Sequence, residues 1–450
     1  MPTTPQPDPD PKIPGLRHLL PRQLAAGDIP LGWALSPPAS LGFRAAADRS
    51  PARRARRLAT FTGDGHLAVF ARTGSGKSRG CTIPWLLQLP NSTIVLDIKA
   101  EAYHCTARWR RDHLGHRIAV LDAFGLVGGR DRLNPFDLVR GDHLEEDADV
   151  LTELFLDGHA SSLKDPFWDA CARAFLVGCI AHVATRPKPS PRQLRDLLSQ
   201  DDIAYALALL LDQKQVESPL AQREITRFLN HEKDKVRPSV LSTAQQHLRA
   251  FAGEKCLQTL ERSTIALDDV IGGDGFTIYI VIPPENMTSH GPLLRLWIGT
   301  LLQAVTRRRR RPDASTLFLL DEIAQCGTLP ILRQALTLLR GYGLTTITLW
   351  QDLAQMQRLY DDWRTLLNNC AVVATFGAST FEMARTLGDV IGVAPDQLRA
   401  MPVANALFSL PGGRPFEVRR LDYLTDRFLR ERSAANPWFA PGVDPEAPER

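Results

Sequence analysis

An α/β fold interrupted by an all-helical stretch is what this 450-residue sequence predicts. Three observations carry the prediction. Short apolar runs alternate with helical patterning between residues 66 and 124, and again between 275 and 411. From about 141 to 262 the patterning is almost wholly helical. A turn holding two glycines, "RTGSGKS", follows directly on the first apolar run, "HLAVF". Alternation of short continuous apolar runs with helices is the signature of a buried, largely parallel sheet covered by helices.

The elements follow in order. Residues 1–60, rich in Pro, Ala and Arg, read as a loosely ordered N-terminal segment. The α/β core is expected over 61–140 and 263–425, the all-helical insertion over 141–262, and a polar tail over 426–450. In the first half of the core, "HLAVF" is a strand, "CTIPWLLQL" the helix opened by the glycine turn, and "STIVLDIKAEAY" a strand ending at Asp97. "HRIAVLDAF" is a further strand ending at Asp122. In the insertion, "DPFWDACARAFLVGCIAHVA" sets Trp168, Ala172, Phe175 and Cys179 on one stripe. The Ser-Pro pairs of "SPRQL" and "SPLAQ" suit helix starts. Strand rhythm returns at "GFTIYIVIP", followed by the helix "GPLLRLWIGTLLQAVTRRRRR" and the strands "STLFLLDE", "LTTITLWQ", "NCAVVATFG" and "NALFSLP".

Composition narrows the class. Hydrophobic residues make up 44% of the chain, enough for a large core, and the formal net charge is only +4. That charge is compatible with a nucleic-acid partner without arguing for one. The seven cysteines are scattered with no C-x-x-C pair, which reads as reduced thiols in a cytosolic protein. No signal-peptide pattern opens the sequence, and no apolar run of transmembrane length is expected.

The glycine turn is where chemistry enters. Gly-x-Gly-Lys-Ser is the core of a P-loop, with Thr73, Gly74, Ser75, Gly76, Lys77 and Ser78 as the nucleotide-binding residues. Backbone N–H groups cradle phosphate, Lys77 reaches the β- and γ-phosphates, and the Ser78 hydroxyl ligates Mg²⁺. The full pattern asks for glycine at position 71, where this chain has Ala71. If that position needs φ > 0, alanine costs roughly 1–2 kcal/mol. A second signal is "STLFLLDEIAQCG", an apolar strand ending in two acids. Asp321 suits the Mg²⁺ shell and Glu322 suits orienting and polarising the attacking water. The bland alternative is a buried strand that ends in two solvated acids. Gln351, at the end of "LTTITLWQ", is a candidate γ-phosphate sensor, or else a capping glutamine. Arg340, in the loop "LLRGYG", is a candidate finger donated to a neighbouring subunit, or else a solvated loop arginine. Two basic clusters, Arg53, Arg54, Arg56 and Arg57, and Arg307 to Arg311, suit phosphate neutralisation or, for the second, a helix C-terminus.

Eight pieces in order resemble one family: "TGSGKS", "VLDIKAEAY", "LNPFD", "DPFWDACARAFL", "FLLDEIAQCGTLP", "RGYGLTTITLWQDLAQMQRLY", "LLNNCAVVATFG" and the segment before "RPFEVRRLDY". Over about 65–425 the chain resembles the type IV secretion coupling proteins, the conjugative DNA-transfer ATPases of the TraG/TraD kind. The resemblance implies a RecA-like P-loop NTPase core with an inserted helical domain, ATP and Mg²⁺ as cofactors, and a ring-shaped homo-hexamer. It implies a motor that drives DNA, carried with a relaxase or another secreted protein, toward type IV secretion channel components. By position, Glu322, Gln351 and Arg340 would be catalytic. Asp97, Lys99 and Glu101 match the family's second box, or else are a strand-end Asp and a helix-start Glu favoured by the helix dipole. The family's N-terminal transmembrane helices find no counterpart, so the expectation is a soluble variant in the bacterial cytoplasm, peripheral to the inner membrane through partners such as a separate anchor subunit. The alternative is a motor of the same fold, or a nucleotide-gated recruitment platform, for protein effectors without DNA translocation.

Overall fold

The computed structural model describes residues 13–25, 27–35, 57–156 and 166–438. Among them one twelve-stranded sheet runs in the order β1-β3-β2-β12-β11-β10-β4-β9-β8-β5-β7-β6. The strands are β1 (Leu16–Leu19), β2 (Asp28–Ala34), β3 (Leu58–Thr62), β4 (His66–Phe70), β5 (Thr93–Leu96), β6 (Arg117–Asp122), β7 (Phe276–Val281), β8 (Thr316–Leu320), β9 (Leu344–Trp350), β10 (Cys370–Thr375), β11 (Asn405–Ser409) and β12 (Phe416–Arg419). From β10 through β6 every pairing is parallel, and the remaining pairings are antiparallel. Parallel strands bury both faces, which is why β4, β5, β7, β8 and β9 are buried at every residue and read as continuous apolar runs. Every strand from "HLAVF" onward that the sequence predicts is present.

Helices α1 (Ile83–Gln88) and α2 (Glu101–Asp112) follow β4 and β5. Between β6 and β7 lie α3 (Leu144–Phe155), α4 (Pro166–Ala184), α5 (Pro191–Leu198), α6 (Ile203–Asp212), α7 (Pro219–Leu229), α8 (Val236–Leu248), α9 (Glu254–Leu260) and α10 (Leu267–Gly272), with no strand among them. The second half of the core carries α11 (Met287–Thr306), α12 (Pro330–Leu338), α13 (Leu353–Leu359), α14 (Trp363–Asn368), α15 (Phe381–Ile391) and α16 (Pro395–Ala400). Helix α17 (Arg427–Arg430) comes last.

Two buried arginines brace the core without a carboxylate partner in their bonds. Arg110 donates to the carbonyls of Leu86, Leu89 and Asn91 and to the Thr277 hydroxyl, tying the end of α1 to the sheet. Arg308 donates to the carbonyls of Val270, Ile271, Tyr342 and Gly343. A guanidinium's planar array of donors can satisfy several carbonyls at once, which is what makes its burial tolerable.

Three expectations are corrected. First, the segment before residue 60 is not uniformly loose: β1, β2 and the start of β3 add to the sheet. Trp33 supplies the anchor, donating its indole N–H to both Asp426 carboxylate oxygens at 3.0 Å and meeting Phe428 edge-on at 5.7 Å. Residues 1–12 and 36–56, with Arg53, Arg54 and Arg56, lie outside the described residues. Second, the polar tail begins as packed structure. Asn436 donates to Glu101 at 2.8 Å and to the Tyr423 hydroxyl at 2.7 Å, and Trp438 donates to the Lys99 carbonyl at 3.1 Å. Residues 439–450 lie outside the description. Third, one helix is long and apolar enough to cross a membrane by length and composition alone, Phe167–Ala184, with mean hydropathy 1.3. In the fold 61% of that window is buried, and its Phe175 stacks on Phe228 of α7 at 4.0 Å. It is the central helix of the helical region.

The cluster from Arg307 to Arg311 is largely internal bracing. Arg308 is buried, Arg307 pairs with Asp147 at 3.0 Å, and Arg311 pairs with Asp64 at 2.5 Å.

Candidate functional site

Parallel strands place their C-terminal ends on one edge, and in open α/β sheets ligands bind outside that edge. Here β4, β9, β8 and β5 deliver Ala71 to Ser78, Gln351, Asp321 with Glu322, and Asp97 to the same edge.

The glycine turn after β4 adopts positive φ at Gly74 (76°) and Gly76 (79°), conformations that favour glycine. Ala71 is not among the positive-φ residues, so the missing first glycine costs nothing there. Ala71 is instead buried, with its N–H on the Trp350 carbonyl at 2.9 Å and its carbonyl accepting from Lys77 Nζ at 2.9 Å. Lys77 is itself buried, and its ammonium lies 3.3 Å from Glu322 Oε1. Gln351 Nε2 donates to Glu322 Oε2 at 2.9 Å, while the Gln351 N–H is held by Gln355 Oε1 at 3.0 Å. Lys77, Glu322 and Gln351 therefore form one hydrogen-bonded group, drawn from strands β4, β8 and β9.

Glu322 has φ 53°, a left-handed backbone that is unusual for a non-glycine residue. Such a conformation carries strain of order 1–3 kcal/mol and persists where the surroundings impose it. The turn swings the Glu322 carboxylate off the strand line and onto Lys77 and Gln351.

Asp321 is buried at the tip of β8. Its Oδ2 accepts from the hydroxyls of Ser78 at 3.1 Å and Thr82 at 3.0 Å. Ser78 and Thr82 span a single π-turn, Ser78–Thr82, between the glycine turn and α1. Such insertions commonly mark functional positions in helices. Asp321 Oδ1 is buried and has no hydrogen-bond partner among the described residues. An orphaned carboxylate oxygen beside a serine hydroxyl is a hard-oxygen donor set that fits Mg²⁺, which commonly takes one or two protein oxygens and completes its shell with phosphate and water. Burial raises the Asp321 carboxyl above the usual carboxylate range, against the opposing pull of Lys77 and the two hydroxyls. Among the described residues no group of three or more His, Cys, Asp and Glu could hold a metal alone, as such a shared site would predict.

Arg340 is not brought to this edge. It sits in the turn before β9, at the N-terminal end of the parallel strands. Its charge is felt by His66 at the start of β4, where it adds to burial in pulling that imidazole down to about 4. Thr73 and Ser75 lie in the glycine turn; the Ser75 hydroxyl bonds the Arg72 carbonyl at 2.6 Å.

The second box is built as helix-start structure. Asp97 Oδ2 accepts from the Tyr103 N–H at 2.7 Å, Ala100 turns through φ 57°, and Glu101 opens α2. Burial pushes the Asp97 carboxyl up to about 7, with its hydrogen bonds from Tyr103 and Ala102 opposing. A carboxyl pKa raised on folding stabilises at low pH and loses that contribution as pH rises from the unfolded value, about 4, through the folded value. Without divalent cation, stability is expected to fall between about pH 4 and 7, and Asp97→Asn, which keeps the acceptor, is expected to flatten that fall. Urea melts across the range check it; an unchanged pH profile in Asp97→Asn would refute the assignment.

Sequence reading missed three participants. Thr82 reads as a helix-interior residue, and only the π-turn aims it at Asp321. Arg79 pairs with Asp422 at 2.8 and 2.6 Å, and Arg420 donates to the Ser75 carbonyl while its guanidinium lies 4.6 Å over the Phe376 ring. Both contacts join residues more than three hundred positions apart, where no local signal exists.

Comparison with known proteins agrees with this geometry. The family model described as "Type IV secretory system Conjugative DNA transfer" matches residues 44–399. A conjugal transfer protein TraG of Escherichia coli is 26% identical over 354 residues, covering 74% of this chain and 55% of that protein. TraG of Agrobacterium fabrum is 29% identical over 308 residues (66% and 46%), and VirD4 of the same organism is 23% identical over 416 residues (81% and 59%). The chain thus spans about half the length of these relatives. Among solved structures, the bacterial conjugative coupling protein TrwB in complex with sulphate superposes with TM-score 0.62 at 17% identity, covering 79% of this chain and 85% of that one. TrwB with ADP and Mg²⁺ gives 0.63 at 16%, with the same coverage. At such identity the likeness carries the fold, a RecA-like P-loop core with a helical region inserted.

Proposed function

Since this chain belongs to the type IV secretory system conjugative DNA transfer family, we propose that it is an ATP-hydrolysing coupling motor that drives DNA, or a DNA–protein complex, toward a type IV secretion channel. The observation that carries the reading is the convergence of Lys77, Glu322, Gln351, Ser78 and Asp321 on one strand edge around a glycine turn. Mg²⁺–ATP would supply the phosphoanhydride to be broken and the cation that offsets its charge. Lys77 meets the β- and γ-phosphates, and the N–H groups of Thr73 to Ser78 line the cradle. Ser78 and Asp321, with Thr82 fixing the Asp321 carboxylate, hold the metal. Glu322 accepts a hydrogen bond from the attacking water, and Gln351 fixes the carboxylate in place. TrwB, with the same fold, is described in complexes with non-hydrolysable ATP and GTP analogues and with ADP and Mg²⁺, which supports a nucleotide in the corresponding place here.

The recruitment-platform alternative drew on Ala71, and the unstrained turn at that residue removes its ground. The deciding measurement is phosphate release by the purified chain with no DNA, with single-stranded DNA and with double-stranded DNA. Turnover stimulated by DNA is expected. Turnover indifferent to both would favour a protein cargo, and none under any condition would refute the motor.

Ring assembly is part of the proposal. Arg340 lies at the far end of its own sheet, so only another copy could bring it to a phosphate site. Arg340→Ala subunits keep an intact phosphate site, and Lys77→Ala subunits keep the arginine. Mixing the two is expected to restore turnover that neither has alone. No restoration at any ratio would count against a site completed between subunits.

A further inference from the structure

The nucleotide-binding motifs account for the phosphate end of a ligand and say nothing of its other end. Beside the glycine turn, on the flank away from Glu322 and Gln351, lies a cleft of about 250 Å³. Its floor is Gly76 and Gly80 at the start of the P-loop helix, and its wall is the chain entering β11 and leaving β12, including Val403, Ala404 and Arg420. Three features of the fold make this wall. Strand β12 runs antiparallel to β11, which runs antiparallel to β10, so β12 points the same way as β4 and ends on the same edge. Gly80 lets that end approach, since a Cβ there would stand 3.3 Å from the Leu421 carbonyl oxygen. The Arg79–Asp422 pair and the Arg420 bond to the Ser75 carbonyl then fasten the wall to the turn.

The direction of a bound nucleotide follows from chemistry already described. Lys77, Glu322 and Gln351 fix the β/γ end on the β8–β9 side of the turn. A triphosphate is a short linear chain, and the N–H groups beyond Lys77 take the phosphates nearer the sugar. The rest of the molecule must leave past Ser78 and Arg79, on the side where the cleft opens. The cleft offers what a nucleoside needs. Val403 is a valine left 69% exposed at its mouth, next to Ala404, and provides an apolar face for a base. The Thr425 hydroxyl and the Asp422 and Asp426 carboxylates stand on the opposite rim, within reach of ribose hydroxyls.

We propose that this cleft receives the nucleoside end of the bound nucleoside triphosphate, with Val403 against the base and Arg420 as a positioning residue that couples the cleft to the glycine turn. The assignment rests on the P-loop reading, and its test separates the two. Tripolyphosphate shares the phosphate chain of ATP and lacks the nucleoside. Binding of each, as the Mg²⁺ complex, is measured to the full chain by competition against a fluorescent ATP analogue. The wild type is expected to bind ATP more tightly than tripolyphosphate. Val403→Asp, at an exposed position where folding is insensitive, is expected to lose about tenfold in ATP affinity, the amount that covering one valine side chain supplies. It is expected to lose less than twofold for tripolyphosphate. Arg420→Ala is expected to weaken ATP binding, with partial recovery in Arg420→Lys, which keeps a donor for the Ser75 carbonyl. Equal effects of Val403→Asp on the two ligands, or no effect on either, would overturn the cleft. Failure of the P-loop reading looks different: Lys77→Ala would then leave both affinities unchanged.

Discussion

Replacing Lys77 with alanine is expected to abolish nucleotide turnover, a loss of at least about 100- to 1,000-fold. The side chain is buried, and its ammonium is held by the Ala71 carbonyl at 2.9 Å and Glu322 at 3.3 Å. In a shielded site its charge acts on phosphate at low effective dielectric, where it is worth far more than in water. Truncation removes that charge and also leaves the Ala71 carbonyl without its donor and Glu322 without its counter-ion. The unpaired carbonyl alone costs roughly 1–3 kcal/mol, so turnover must be read beside a thermal melt. Phosphate release by folded Lys77→Ala protein at near wild-type rate would refute the P-loop assignment.

Glu322→Gln is expected to separate binding from hydrolysis, keeping nucleotide affinity within a few-fold and lowering turnover roughly 100- to 10,000-fold. The amide is nearly isosteric and tolerates the left-handed backbone at this position as the acid does. It cannot take a proton from water, and one of its two oxygen acceptors becomes a donor. That donor faces either the Lys77 ammonium or the Gln351 amide, so one of two present contacts, 3.3 or 2.9 Å, must be given up. Nucleotide binding by equilibrium dialysis and phosphate release on the same preparation decide it. Loss of both together would make Glu322 a structural brace, and retained turnover would remove it from the chemistry.

Much of this site was legible before any coordinates. "GSGKS" after an apolar strand places the turn, because only small, flexible residues let backbone N–H groups converge on a phosphate. Asp321 and Glu322 declare themselves as acids at the end of a run too apolar to be anything but a buried strand. Gln351 is readable for the same reason, as a polar residue at a strand end. Arg340 shows where the method reaches its limit: an arginine in a loop between two strands says nothing of which end of the sheet that loop occupies.

The sequence by itself determined the α/β class, the order of the buried strands, the helical region between β6 and β7 and the identities of the phosphate-facing residues. These depend on local quantities, namely apolar run length, helical period and the backbone freedom of glycine. Tertiary structure alone decided the rest. It made Ala71 harmless, because the turn needs positive φ at Gly74 and Gly76 and not there. It turned Arg307 and Arg308 from a basic patch into internal bracing. It drew β1 and β2 into the sheet and folded Arg420 to Trp438 back over the turn and the start of α2. Each of these depends on contacts between distant parts of the chain, such as Trp33 with Asp426, which no local window contains. Their free energy exists only once the sheet has brought both partners to one edge.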